Sequence, residues 1–223
     1  MYIGILLFIC LEQKNLAPSW QHWFGTDDLG RDLFCRVCLG TSISLALGLL
    51  AALIETMIGI LWGALANRWM MRICDILSAI PPLLIAILLT AFLGAGFTTI
   101  LLGITLVGWV NMARIVYGHL LQQRQREYVL AARMTGASSL RITLRHIIPN
   151  IRSSILATMA LSVPAAIFLE AFLSFMGLGI SAPYASLGSL IYEGIGAVYS
   201  YPWRFFIPSA IMVLLCICFK FET

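Results

Sequence analysis

Long apolar runs separated by short polar segments organise this chain, and the runs do not alternate between a wet and a dry face. From Ile76 to Ala113 there is no Asp, Glu, Lys or Arg. As one helix that stretch would rise about 57 Å, against a hydrocarbon core of about 30 Å. It must therefore fold back, and Gly94-Ala95-Gly96 offers the break, so Ile76–Leu93 and Phe97–Tyr117 are predicted to form a helical hairpin. Thr41–Ala66, interrupted only by Glu55, and Ile155–Met176, interrupted only by Glu170, are two further spans. Phe205–Phe219 rises only about 22 Å and needs Arg204 and Lys220 to snorkel at its ends. Tyr2–Leu11 rises about 15 Å, half a span, with no basic region or cleavage site to make it a signal peptide. The predicted fold class is an all-α polytopic helical membrane protein, with about five spans plus a partial N-terminal one.

Composition agrees with that pattern. Of 223 residues, 61% are apolar and 11% charged, and the mean hydropathy is +0.94. Soluble domains carry roughly a quarter charged residues, so a polar surface sufficient for water is excluded. Six cysteines show no disulfide-framework spacing, and Cys35-Arg36-Val37-Cys38 is a lone pair without a second ligand set. They are read as small apolar fillers rather than as a metal site.

Charge then sets the orientation. Arg114–Arg152 holds seven arginines (114, 124, 126, 133, 141, 145 and 152) against one acid, Glu127. Asn67–Asp75 holds Arg68 and Arg72 against Asp75. Placing both segments in the cytoplasm leaves Glu12–Gly40, where acids outnumber bases, and Gly177–Arg204 outside. The net charge of +4 is thus a topology signal and not a nucleic-acid footprint.

Within the basic loop, Glu127–Met134 is a good helix former, and Gly136 can take a left-handed position after it. Ser138 or Ser139 can cap a second helix running to about Ile148, which Pro149 ends. On that helix Leu140, Leu144 and Ile147 are predicted to form one apolar stripe, with Arg141 and Arg145 on its neighbour. Such a surface suits a protein groove and a lipid surface equally.

The order Leu130-Ala131-Ala132, three residues, Gly136, nine residues and His146-Ile147-Ile148-Pro149 resembles the cytoplasmic signature of binding-protein-dependent ABC importer permeases. Leu130 replaces its acid, and His146 and Ile148 replace its final aliphatics. Phe24–Asp32, Asp75–Pro82 and Phe172–Gly179 are similar to stretches of the dipeptide, oligopeptide and nickel importer permeases, in their C-type membrane subunit. The resemblance covers roughly residues 18–210. It implies a type I transmembrane domain over 41–219, a coupling loop at about 118–152, and a partial first span with an extracytoplasmic segment over 1–40. Family members carry a whole first span and a longer C-terminal tail, so the chain is expected to be truncated at both ends.

The resemblance also implies the role: a permease subunit of an ATP-driven importer in the bacterial cell membrane, taking di- or oligopeptides or, alternatively, nickel. Glu127, Ala131, Ala132, Gly136, Leu140, Arg141, Leu144, Arg145 and Pro149 would form the surface that docks into an ATPase. A second permease subunit, ATP-binding cassette subunits, an extracytoplasmic solute-binding protein and the lipid bilayer are the expected partners, without nucleic acid. No cofactor or metal is expected in this chain and ATP is used by partner subunits. The only lysines are Lys14 and Lys220, and neither follows a glycine as a phosphate-binding loop requires.

Glu170 is the main candidate for the pathway, because intramembrane acids are costly. Lining the path, pairing across the subunit interface and locking helix packing are all open to it. Glu55 stands where the family usually has an uncharged residue. Pro81 and Pro82 free backbone carbonyls and mark either a kink in a helix or a static turn into one. Asp27, Asp28, Arg31 and Asp32 either contact a substrate-delivery protein or fix their own loop by ion pairs. Gly177, Gly179, Pro183 and Gly188 make an irregular outer segment, which by resemblance belongs to the external gate or receptor contact. An autonomous channel or secondary transporter is the rival reading. A membrane enzyme lacks support, since there is no HExxH, no GxSxG and no paired intramembrane aspartates.

Overall fold

The computed structural model describes residues 11–180 and 184–221, so the half-span at Tyr2–Leu11 falls almost wholly outside the described residues, as does Pro183. Helices dominate, and the isolated bridge between Thr26 and Asp32 is the one β pairing among the described residues. The long helix α1 covers Leu33–Leu65 and starts at Asp32, whose carboxylate accepts from the Cys35 N–H at 3.1 Å. It is about 50 Å long, so its first turns stand clear of a hydrocarbon core. Ala66 turns the chain out, and Asn67 caps α2, Arg68–Ser78.

The first leg of the expected hairpin is broken. Ile76–Ser78 belong to α2, and Pro82 opens a separate helix α3, Pro82–Leu93, which bends 69° away. Pro81 is extended (φ −60°, ψ 126°), as the residue before a proline prefers, so the pair forms a turn into a helix rather than a kink within one. The second leg holds: Gly94, at φ +86°, lets the chain turn into α4, Phe97–Gln123.

The basic loop after α4 folds into α5 (Glu127–Met134), α6 (Ser139–Ile142), a π-turn over Thr143–Ile147 and the short α7 (Ile148–Asn150). They lead into α8, Arg152–Phe175, which carries Pro164 internally. Beyond α8, α9, Leu187–Ile195, precedes α10, Trp203–Phe221. At 19 residues α10 is about 28 Å long, longer than the predicted span. Among the described residues four helices are long and apolar enough to cross a membrane, and the bent α2–α3 pair makes a fifth if it counts as one span.

The core lies where α1, α4 and α8 meet, around Leu47, Ala51, Ile100, Ile104, Ala166 and Leu173. Close approach of α1 and α4 depends on Gly59 and Gly63. A Cβ on either would fall within 3 Å of a backbone carbonyl, that of Trp109 or Ala113. This small-xxx-small spacing lets helix backbones touch, and in a membrane packing of that kind replaces the hydrophobic drive. The outward faces stay apolar, with Leu53, Met57 and Leu61 of α1 and Val213 and Leu214 of α10 exposed.

Candidate functional site

Three polar or amphipathic features stand out from this apolar frame. The first is the basic loop between α4 and α8. α5 ends in a Schellman turn: the Gly136 N–H donates to the Arg133 carbonyl and the Ala137 N–H to the Ala132 carbonyl. Gly136 sits at φ +83° with open space around its Cα, so its backbone conformation, not crowding, requires glycine there. Ser138 then caps α6 by accepting from the Arg141 N–H.

The predicted apolar stripe divides. Ile147 is buried, while Leu140 and Leu144 are about half exposed. The cause is the π-turn: its wider winding places residues five apart on one face, so Ile142 and Ile147 both turn inward. They join Val129, Met112, Val116 and Leu120 in a cluster that fixes the loop to the end of α4. Ala132 packs against the same cluster, whereas Ala131 is exposed. Left outward are Leu130, Met134, Leu140 and Leu144, with Glu127, Arg141 and Arg145 also exposed. Pro149 lies inside the three-residue α7, and the helical path breaks two residues later, at Ile151.

On the opposite side the Phe24–Asp32 stretch folds into an ionic clamp. Asp27 is 1% exposed and accepts from Arg31 Nε at 2.7 Å, Arg36 Nη1 at 2.8 Å and the N–H groups of Leu29 and Arg31. Arg36, on the first turns of α1, donates onward to both oxygens of Glu193 in α9. Arg204 does not snorkel as predicted. It is buried at the start of α10, donating to Asn15 Oδ1 at 2.9 Å and pairing with Asp28 at 3.2 Å. His22 Nδ1 and Asp32 Oδ2 lie 2.7 Å apart. The local ion pairs expected within this stretch are present, and the clamp extends beyond them: three long-range partners tie the outer segment to α1, α9 and α10.

The third feature is Glu170, fully buried in α8. Its Oε1 accepts from Ser174 at 2.7 Å and Ser186 at 2.5 Å, and its Oε2 from Ser44 at 3.3 Å. Ser186 is also the N-cap of α9, and Ser44 accepts from the Leu187 N–H. One carboxyl thus gathers α1, α8 and the start of α9. Glu55 is also buried, beside Gly108 of α4, where any side chain would collide with it, and Ser162 of α8 is its polar neighbour. Pro81 and Pro82 are exposed, at the turn into α3. No group of three metal-ligating side chains occurs among the described residues.

The long-range partners of these acids escaped sequence reading because they are distant along the chain. Arg36 and Glu193 are separated by 157 positions, and Ser44 and Glu170 by 126. Ser174 and Arg31, each four residues from its acid, lie within reach of local spacing.

Relatives and solved structures agree on the setting. The oligopeptide transport system permease protein OppC of Bacillus subtilis is 48% identical over 211 residues, covering 92% of this chain and 69% of that protein. The dipeptide transport system permease protein DppC of the same species is 46% identical, covering 94% and 68%. The oligopeptide permease OppC of Escherichia coli is 39% identical over 214 residues. An inward-facing structure of the MetNI methionine ABC transporter superposes with a TM-score of 0.68 at 18% identity, covering 85% of this chain and 94% of that one. The last likeness establishes the fold alone. Residues 44–221 match the family model as well, so this chain belongs to the inner membrane components of binding-protein-dependent transport systems.

Proposed function

We propose that the chain forms half of the translocation path of a peptide importer and is driven by a separate ATPase that grips its cytoplasmic loop. One observation carries the coupling role. The loop is pinned from within by Val129, Ile142 and Ile147, yet holds Leu130, Leu140 and Leu144 out beside Arg141 and Arg145. An apolar edge held rigid against solvent, with arginines alongside, suits insertion into a protein groove. The loop's fixed inner face would transmit a push on that edge to α4 and α8.

Peptide as the cargo class is supported by the named roles of relatives 39–48% identical, which favour it over nickel. Membership of the permease family likewise argues against an autonomous channel. Companion permease, ATPases and an external solute-binding protein complete the proposed system. Glu170 takes a packing role in it, supported by three hydroxyl donors and complete burial.

Co-expression of this chain with the adjacent permease and ATPase genes tests the reading. The wild-type chain is expected to retain the ATPase through purification and to support ATP-dependent uptake of labelled peptide. Leu140→Asp/Leu144→Asp should weaken ATPase retention by at least about tenfold while the chain still inserts. Retention unchanged in that variant would sink the coupling role. Uptake of nickel but not peptide would overturn the substrate.

A further inference from the structure

α2 has three distinct faces, and only one of them is occupied by protein. Its inner face presents Cys74, fully buried, with Met71 and Leu77, to Trp109, Val110 and Ala113 of α4. A second face, roughly a third of a turn away, carries Trp69, Ile73 and Ile76 at i, i+4 and i+7. These three are 74%, 47% and 69% exposed. A third face carries Arg68, Arg72 and Asp75. Asp75 is engaged by Arg114 at 2.8 Å, which leaves Arg68 and Arg72 with no carboxylate partner among the described residues. The Arg72 guanidinium lies over the Trp69 ring, 5.1 Å from its centroid.

We propose that α2 lies in the cytoplasmic interface of the bilayer as a lipid-binding helix, burying Trp69, Ile73 and Ile76 among acyl chains and presenting Arg68 and Arg72 to anionic phospholipid headgroups. Its position requires such a setting. The extended Ala66 and Asn67 separate α2 from α1, and α2 bends 69° from α3, so it does not continue α3 as one straight span. Just before it in the chain, Leu61 and Leu65 at the end of α1 are exposed and apolar as well. A Trp at headgroup depth, with a basic face beside an apolar one, is the pattern of helices that rest in the interface. Two uncompensated arginines match the negative surface of the cytoplasmic leaflet. Arg72 stacked on Trp69 keeps its charge at the level where the ring leaves the acyl region.

Photocrosslinking in the assembled transporter tests this, using nanodiscs of phosphatidylcholine mixed with phosphatidylglycerol. With Ile73→p-benzoylphenylalanine or Ile76→p-benzoylphenylalanine, phospholipid adducts on this chain are expected by mass spectrometry. Crosslinks from either position to the ATPase or companion permease would overturn the proposal, as would a chain left without adducts. Arg68→Gln and Arg72→Gln should each lower the phosphatidylglycerol share of the adducts, by about fivefold per arginine. Arg72→Lys should keep it, and an unchanged share in the glutamine variants would refute the headgroup contact. Leu140→p-benzoylphenylalanine is the internal control: it reports on the docking loop, so failure there and failure at α2 are read separately.

Discussion

Glu170 shows how a single acid is accommodated in an apolar bundle. It meets hydroxyl donors rather than a cation, and both its oxygens are used. Glu170→Gln keeps the acceptor for Ser174 and Ser186, while its amide can donate to Ser44, whose oxygen also accepts from the Leu187 N–H. That variant is expected to accumulate in the membrane and transport nearly as wild type. Glu170→Leu removes the acceptor of three buried hydroxyls, leaving Ser174 and Ser186 only longer contacts at 3.4 Å, and should lower thermal stability and transport together, at about 1–3 kcal/mol for each hydroxyl left unpaired. If Gln proves as damaging as Leu, the charge itself matters and the packing role is wrong. Gly63 gives a second prediction of the same kind. A Leu there must displace the Ala113 carbonyl and Val116. Overpacking should cost about 1–3 kcal/mol, read as a lower melting temperature in detergent.

At the level of elements, each end of the bundle has its own fastening. At the start of α1, the clamp joins the Asp27 loop to α1, α9 and α10 through Arg36 and Arg204. Arg36→Gln removes one of two cations from buried Asp27 and should cost about 2–3 kcal/mol, less than for a wholly stranded charge because Arg31 remains. Adding Asp27→Asn should recover part of the loss in a double-mutant cycle, and purely additive effects would show that the pair is not coupled. At the end of α4, the basic loop is fastened by apolar contacts and by the turn at Gly136. Gly136→Val meets no neighbour but is forced to φ near +83°, at a cost of roughly 1–2 kcal/mol. Its expected signature is weakened coupling of ATP hydrolysis to uptake, with the chain still inserted and the clamp intact. Gly136→Asn, which tolerates that conformation, should behave close to wild type.

For the molecule as a whole, the buried share of each span shows where other surfaces are needed. The apolar window of α4 is 61% buried, that of α10 only 17%. α4 is therefore the internal axis, and α10 faces outward along much of its length, to lipid or a partner. If the proposed companion permease covers part of that face, the chain should be more stable in the complex than alone. A partner present at about a hundred times its dissociation constant adds roughly 2.7 kcal/mol, visible as a concentration-dependent melting temperature. A melting temperature indifferent to the companion would place the permease contact elsewhere.

The hydrophobic runs alone determined that this is a helical membrane protein, because a bilayer core sets a length that no soluble helix must match. Arginine distribution carries the expected sidedness, and the register of Ala131, Ala132, Gly136 and Pro149 carries the resemblance that marks the loop. These are properties of short segments, so a sequence displays them directly. Tertiary structure decided the rest. It broke Ile76–Leu93 at Pro81-Pro82, since α2 finds its buried face on α4 rather than continuing into α3. It buried Arg204, whose partners Asn15 and Asp28 lie far back along the chain. It split Leu140 and Leu144 from Ile147, because packing against α4 selected a π-turn that a helical wheel of 3.6 residues does not contain. The acids were visible from the first, but what they do depends on which hydroxyl or guanidinium arrives beside them, and only packing brings those together.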